Sequence, residues 1–277
     1  MGAAESATPG DATTADAETG AAAGGLPTLG ITGGIATLTL NRPRHMNRIE
    51  PADLAEIIRL CGVLDADPAV RVVVITGTGR AFSAGYHLGD LATRDPDAPP
   101  ATDDFETMVD RVEALRAPTI CKLNGGAYGG ATDLALACDF RLGHEGVEMF
   151  MPAARLGVHY YASGLRRYVS RLGLNAAKRL FLTAERLDAQ AMLEIGYLTE
   201  LAPREELDAR AAALATRIAD LAPLAVQGVK RALNEIAHGT LDAAALADRV
   251  AQCKASADLQ EGLAAFRAKR DPIFQGR

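Results

Sequence analysis

The stretch "FSAGYHLGDL", residues 82 to 91, brings Ser83, Tyr86 and His87 together shortly after the β-branched run "VRVVVITG". A serine near a histidine invites nucleophilic catalysis, and "AFSAG" is close to the G-x-S-x-G elbow, with Ala81 in the first glycine's place. That elbow needs a helix after the turn and a base brought from far along the chain. His87 is too local, and the following residues run into the proline-rich "ATRDPDAPPATDD", so Ser83 is expected to pack against a sheet. "VITGTGRAF" sets alternate glycines after a strand, but Phe82 stands where a third glycine must let a dinucleotide-binding helix close in. "GGAYGG" lacks the lysine and hydroxyl of a phosphate loop. The main chain remains as the chemical group. Gly129 and Gly130 precede "ATDLALACD", where free N–H groups point outward from a helix start with the positive end of its dipole behind them. Gly85 and Tyr86 follow a buried strand and can present a second N–H from a separate turn. Two such groups on one carbonyl oxygen form an oxyanion hole, and losing one donor typically costs about 3 kcal/mol of barrier.

These turns need elements to hold them. "GITGGIATLTLNRP" alternates into a strand that ends at Pro43. From Pro51, apolar residues at Leu54, Ile57, Ile58, Cys61 and Leu64 have helical spacing, and "AVRVVVITG" follows as a buried strand. Strand, helix, strand predicts a right-handed crossover and a parallel sheet. Residues 92–104 read as a mobile loop, followed by a helix through "FETMVDRVEALRAP". Then come a short strand, a glycine-rich turn, a helix from about Ala131 and a strand near "DFRLG", so that short units repeat as in a spiral of stacked turns. After Gly164 the chain reads as mainly helical. The apolar faces of those helices need a partner surface, as in a lid or an oligomerising layer.

At 277 residues with a net charge of -6 and a pI near 5.4, the chain lacks the clustered basic surface that phosphate backbones require, so no nucleic-acid partner is expected. Cys61, Cys121, Cys138 and Cys253 are widely separated and mostly flanked by apolar residues, as reduced core thiols are. No segment has the ~18 uninterrupted apolar residues of a membrane span, and no secretory or mitochondrial leader is recognisable; a cytoplasmic protein is expected. Residues 1–25, rich in Ala, Gly, Thr and acid, have almost nothing to bury and are expected to form a disordered tail.

Four stretches in order, "IATLTLNRPRHMN", "VRVVVITGTGRAFSAGYHLGDL", "LNGGAYGGATDLALACDFRL" and "EGLAAFRAKRDPIF", resemble the crotonase superfamily, the enoyl-CoA hydratase/isomerase family, from about residue 30 to the end. The resemblance implies an α/β fold. A spiral of ββα units would occupy residues 26–215, and a C-terminal helical region for trimerisation and coenzyme A contact residues 216–277. It implies a homotrimer or dimer of trimers and an acyl-CoA thioester substrate, with coenzyme A part of that substrate and no further cofactor or metal. By position, the oxyanion donors would be the N–H groups of Tyr86 and Gly130, with Ala84, Phe266, Lys269, Arg270 and Phe274 in contact with coenzyme A. Hydratases of the family carry a Glu three residues after the oxyanion glycine and a second in a "PE" pair about twenty residues later. Here those places hold Asp133 and Ala153, and an alanine can neither take nor give a proton. In "LGVHYYASG", His159, Tyr160 and Tyr161 occupy the loop that borders the acyl end of the pocket in relatives, with His159 and Tyr160 the candidates for proton handling or substrate orientation. A methylmalonyl-CoA decarboxylase is similar in that loop, with a tyrosine at the place of Tyr160. The resemblance therefore implies hydration or isomerisation through a thioester enolate; the alternatives are decarboxylation with Tyr160 and a catalytically silent coenzyme A-binding scaffold.

Overall fold

The computed structural model describes residues 24–87 and 105–277. Most of the expected tail and the expected loop at 92–104 lie outside the described residues.

The chain climbs by repeating one unit. Strand β1 (Thr28–Thr32) and β2 (Ile35–Leu40) lead through α1 (Pro51–Ala66) to β3 (Val72–Gly77) and the short β4 (Ala81–Ser83). After α2 (Phe105–Glu113) come β5 (Thr119–Leu123), β6 (Gly126–Tyr128) and α3 (Gly130–Ala137), then β7 (Phe140–His144), β8 (Glu148–Phe150) and α4 (Ala162–Thr183). From β3 onward the first strand of each pair, β3, β5 and β7, joins a six-stranded sheet with β1, β2 and β10 (Glu200–Ala202), in the order β1-β2-β3-β5-β7-β10, and the second, β4, β6 and β8, joins a four-stranded sheet with β9 (Arg186–Asp188), in the order β4-β6-β8-β9. Pairing is parallel except for β1 with β2 and β8 with β9. This is the expected spiral of ββα units.

Two expectations need correction. "GITGGIATLTL" is a hairpin of two strands rather than one, because Gly33 and Gly34 both take positive φ, 58° and 80°, as a two-residue hairpin turn requires. The stretch after Gly164 also holds strands, β9 (Arg186–Asp188) and β10 (Glu200–Ala202), with α5 (Ala189–Glu194) between them. Helix α4 is itself broken at Gly173, whose φ of 79° and ψ of 161° are not helical.

Strand β3 is buried on both faces because both faces are covered. Val73 and Ile75 meet the main core beneath α1, α2 and α3. Val72 and Val74, one residue out of phase, meet Leu207, Ala211, Ala215 and Ile218 of α6 (Leu207–Ala219). That explains the unbroken β-branched run in the sequence. The expected boundary at 215/216 falls inside α6. Helices α7 (Pro223–His238), α8 (Ala243–Ala255) and α9 (Ala257–Ala268) complete the chain. Among the described residues no helix is long and apolar enough to cross a membrane.

Candidate active site

Ser83 ends β4 fully buried; its hydroxyl donates to the Asn47 carbonyl at 2.7 Å and accepts from the Gly85 N–H at 3.0 Å. It therefore ties down the turn that follows. The next residues run beside the segment before α1: Ile49 N–H donates to the Gly85 carbonyl at 2.9 Å, and His87 N–H donates to the Ile49 carbonyl at 3.0 Å. In an extended strand successive N–H groups alternate sides, so the Tyr86 N–H is directed away from Ile49.

The second turn, Gly129–Gly130, comes up against the first. Gly85 has a φ of 83°, and a Cβ there would overlap the Tyr128 carbonyl oxygen and come within 3.0 Å of the Gly130 nitrogen. Only glycine permits that approach. Gly129, φ 54°, turns the chain from β6 into α3, and its N–H donates to the Phe150 carbonyl at 2.8 Å. Gly130 opens α3, so its N–H has no intrahelical acceptor. The ring of Phe105 lies directly over it: a Cβ on Gly130 would stand 2.6 Å from the ring. The helix start is anchored by Thr132, whose hydroxyl bonds the Gly129 carbonyl at 2.6 Å.

One turn into α3, Asp133 is completely buried. Both of its oxygens accept from Arg167 Nη1, at 2.8 Å each, and Oδ2 also accepts from the Tyr161 hydroxyl. Arg167, itself fully buried, further meets Asp110 at 2.5 Å and Glu113 at 3.2 Å. Burial pushes the Asp133 carboxyl above the ordinary carboxylate range, with Arg167 and Tyr161 pulling against it. Burial works against the Arg167 charge too, but Asp133 and Glu113 outweigh it and keep the guanidinium protonated. Burial and then the Asp133 charge drive the Tyr161 hydroxyl far upward, so it stays neutral.

The structure sorts the expected site residues into groups. Tyr86, Gly130 and Asp133 lie around the two turns. Tyr160 stacks on Tyr161, with centroids 4.3 Å apart, and its ring packs 6.4 Å from Tyr168 and 5.2 Å from Phe181, while its hydroxyl donates to the Tyr161 hydroxyl at 3.2 Å and so joins the Asp133 network at one remove. His159 is exposed, its Nδ1 bonded to the Tyr160 carbonyl at 2.8 Å. Ala153 is buried in the 3-10 turn between β8 and α4 and offers a methyl group where a second carboxylate was sought. Ala84 continues β4 and donates to the Met46 carbonyl at 2.7 Å. The C-terminal residues sit on a different part of the chain. Phe266 is 83% exposed, Lys269 caps α9 in the left-handed conformation, Arg270 is held by Glu261, and Phe274 packs over Gly262. Sequence reasoning missed Phe105 and Arg167 and gave Tyr161 no role of its own, and the structure brings all three to the turns or to Asp133. The helical spacing of Gly164, Arg167 and Arg171 was the available signal for Arg167.

A family model described as enoyl-CoA hydratase/isomerase matches residues 30–277. The chain is 32% identical to the 2,3-dehydroadipyl-CoA hydratase of Escherichia coli, over 88% of this chain and 96% of that protein. It is 33% identical to the crotonyl-CoA hydratase of Syntrophomonas wolfei, over 87% and 94% respectively. The crystal structure of an enoyl-CoA hydratase/carnithine racemase from Magnetospirillum magneticum superposes with a TM-score of 0.85 at 30% identity, covering 91% of this chain and 96% of that one. With the spiral of paired strands and the two abutting glycine turns, these similarities establish that the chain belongs to the enoyl-CoA hydratase/isomerase family of the crotonase superfamily.

Proposed function

We propose that the protein is an acyl-CoA enzyme that stabilises a thioester enolate through the main-chain N–H groups of Tyr86 and Gly130, in a reaction of the hydratase or isomerase type. The observation that supports this is the close approach of the two turns, since a Cβ on Gly85 would stand 3.0 Å from the Gly130 nitrogen. Main-chain donors fixed by a sheet and a helix start need no rearrangement as charge develops, and such preorganised donors contribute most where negative charge grows on oxygen.

At the two positions where the family's hydratases carry their carboxylates, the described residues offer no such pair to activate water. Ala153 has no proton to exchange, and the Asp133 oxygens are committed to Arg167 and Tyr161. An isomerisation, in which one group removes and returns a proton beside the thioester, makes the smaller demand on the residues present. Coenzyme A contact by Ala84, Phe266, Lys269, Arg270 and Phe274, and assembly as a trimer or dimer of trimers, belong to the same proposal. Val229, Leu233 and Ile236 support the assembly, standing exposed on α7 in the single chain.

Mass-spectrometric product analysis with crotonyl-CoA, 3-pentenoyl-CoA and methylmalonyl-CoA tests it. A double-bond shift in the second is the expected result. Hydration of the first places the protein among the hydratases despite Ala153, and loss of carbon dioxide from the third supports the decarboxylase alternative. Binding of all three without turnover supports the scaffold.

A further inference from the structure

Asp133 stands one turn along α3 from Gly130, yet no part of it reaches the surface. Its outlet is Tyr161. The Tyr161 hydroxyl donates to Oδ2 and accepts from the Tyr160 hydroxyl at 3.2 Å, which leaves its oxygen one further lone pair, and the ring extends from there towards Phe105, 6.5 Å between centroids. Phe105 in turn lies 5.8 Å from the Tyr86 ring and directly over Gly130. Thus the ring that covers the two donor turns also borders Tyr161. Gly164 makes room for both tyrosines beside the carboxylate, because a Cβ there would come within 2.4 Å of the Tyr160 ring, 2.7 Å of the Tyr161 ring and 2.9 Å of Asp133 Oδ2. Arg167 bonds both Asp133 oxygens through one nitrogen and shares its remaining charge with Asp110 and Glu113. It fixes the carboxylate without neutralising it alone.

We infer that Tyr161 is the residue that takes the hydrogen from the carbon beside the thioester carbonyl and passes its own proton to Asp133, so that the aspartate acts as base through the tyrosine. This rests on the acyl-CoA proposal above. In the step the substrate C–H bond breaks and its proton bonds to Tyr161 Oη, while the proton Oη held moves to Asp133 Oδ2. The C–H electron pair passes into the carbonyl as the enolate. One negative charge leaves Asp133 and one appears on the enolate oxygen at the Tyr86 and Gly130 N–H groups. Tyr161 is neutral before and after, and the reverse movement returns a proton to carbon. Tyr161 is then the catalytic residue, with Arg167 a positioning residue behind Asp133.

The test is exchange of α-hydrogen for deuterium in butyryl-CoA, followed by mass spectrometry in heavy water, with binding measured separately by calorimetry. Tyr161→Phe removes one oxygen and keeps the ring, so its thermal unfolding should stay near wild type. Exchange should fall on the order of 10²-fold or more, while affinity for butyryl-CoA stays within about threefold, as for a group used only in the chemical step. Exchange near the wild-type rate in Tyr161→Phe overturns the relay, and so does a loss that merely follows weakened binding. If Tyr161→Phe still exchanges but replacing Gly130 by proline in a Phe105→Ala background stops exchange, the relay is wrong and the enolate proposal stands. If wild type neither binds nor exchanges the thioester, the enolate proposal fails and takes the relay with it.

Discussion

At the scale of single residues, the site is made of groups whose neighbours leave little freedom. Gly85 combines positive φ with the approach to Tyr128 and Gly130, so Gly85→Ala must separate the turns. Turnover should fall on the order of 10²-fold, read as kcat on the substrate that the product analysis identifies, and a variant with unchanged kcat would contradict the role given to these turns. Arg167→Leu leaves Asp110, Glu113 and Asp133 without their shared cation. Removing one member of a buried pair costs about 3–5 kcal/mol, to be measured by urea unfolding, and Arg167→Leu with Asp133→Leu should recover part of that loss. The sequence displayed the glycine turns plainly, because a doubled glycine before a helix and a glycine after a buried strand both carry a main-chain meaning. It did not display the fate of Asp133. Arg166 and Arg167 are adjacent and look alike as letters, yet the first is exposed and the second completely buried; only the packing of α4 on α3 separates them. Tyr160 and Tyr161 were ambiguous in the same way: their rings stack, but only the Tyr161 hydroxyl meets Asp133 directly, with the Tyr160 hydroxyl bonded to it from behind.

At the scale of elements, the long strands and helices were legible and the three-residue strands were not. Periodicity marks α1 through Leu54, Ile57, Cys61 and Leu64, all buried, but β4, β6 and β8 are too short to show an alternation. They exist because the sheet pairs them, not because of local preference. Gly173 shows the same limit, since the chain around it reads only as helical and the structure breaks α4 there. Its φ and ψ fall where side chains are strained, and Gly173→Ala should destabilise the protein by about 1–3 kcal/mol by thermal or urea unfolding. At the end of α9, Glu261 clasps Arg270 and accepts from the Ile273 N–H at 2.8 Å. The Arg270 side chain and that N–H hold the Glu261 carboxyl down to about 2 from the ordinary 4.5. A depressed carboxylate stabilises the fold fully above its ordinary pKa and loses that contribution as pH falls through the depressed value. Hydrogen exchange at the Ile273 amide should therefore lose protection as pH drops from 4.5 to about 2, with the β3 and β5 amides still protected. Equal protection across that window would show that the clasp does not hold the C-terminal segment.

At the scale of the whole molecule, the spiral of paired strands serves to bring two turns far apart in sequence, around Gly85 and Gly130, into contact, while the helices after α6 leave apolar side chains outward. Val229, Leu233 and Ile236 on α7 and Phe266 on α9 are exposed in the single chain. With a chain mass of 29.0 kDa, light scattering should give a particle of three or six chains. Leu233→Glu with Ile236→Glu should shift it towards single chains, whereas a wild-type monomer would remove the assembly from the proposal. The sequence implied these outward faces through helical spacing but could not separate them from faces buried within the chain, such as that of α6. The most direct measurement on the enzyme itself compares Phe105→Ala with Phe105→Ala/Gly130→Pro. The first opens the space above Gly130, so the second differs by one ring and one missing N–H at a helix position that tolerates proline. Deuterium exchange into butyryl-CoA should proceed in the first and fall by about 10²–10³-fold in the second, with both proteins folded and binding the thioester. Equal exchange in the two would show that the main chain at Gly130 does not hold the enolate.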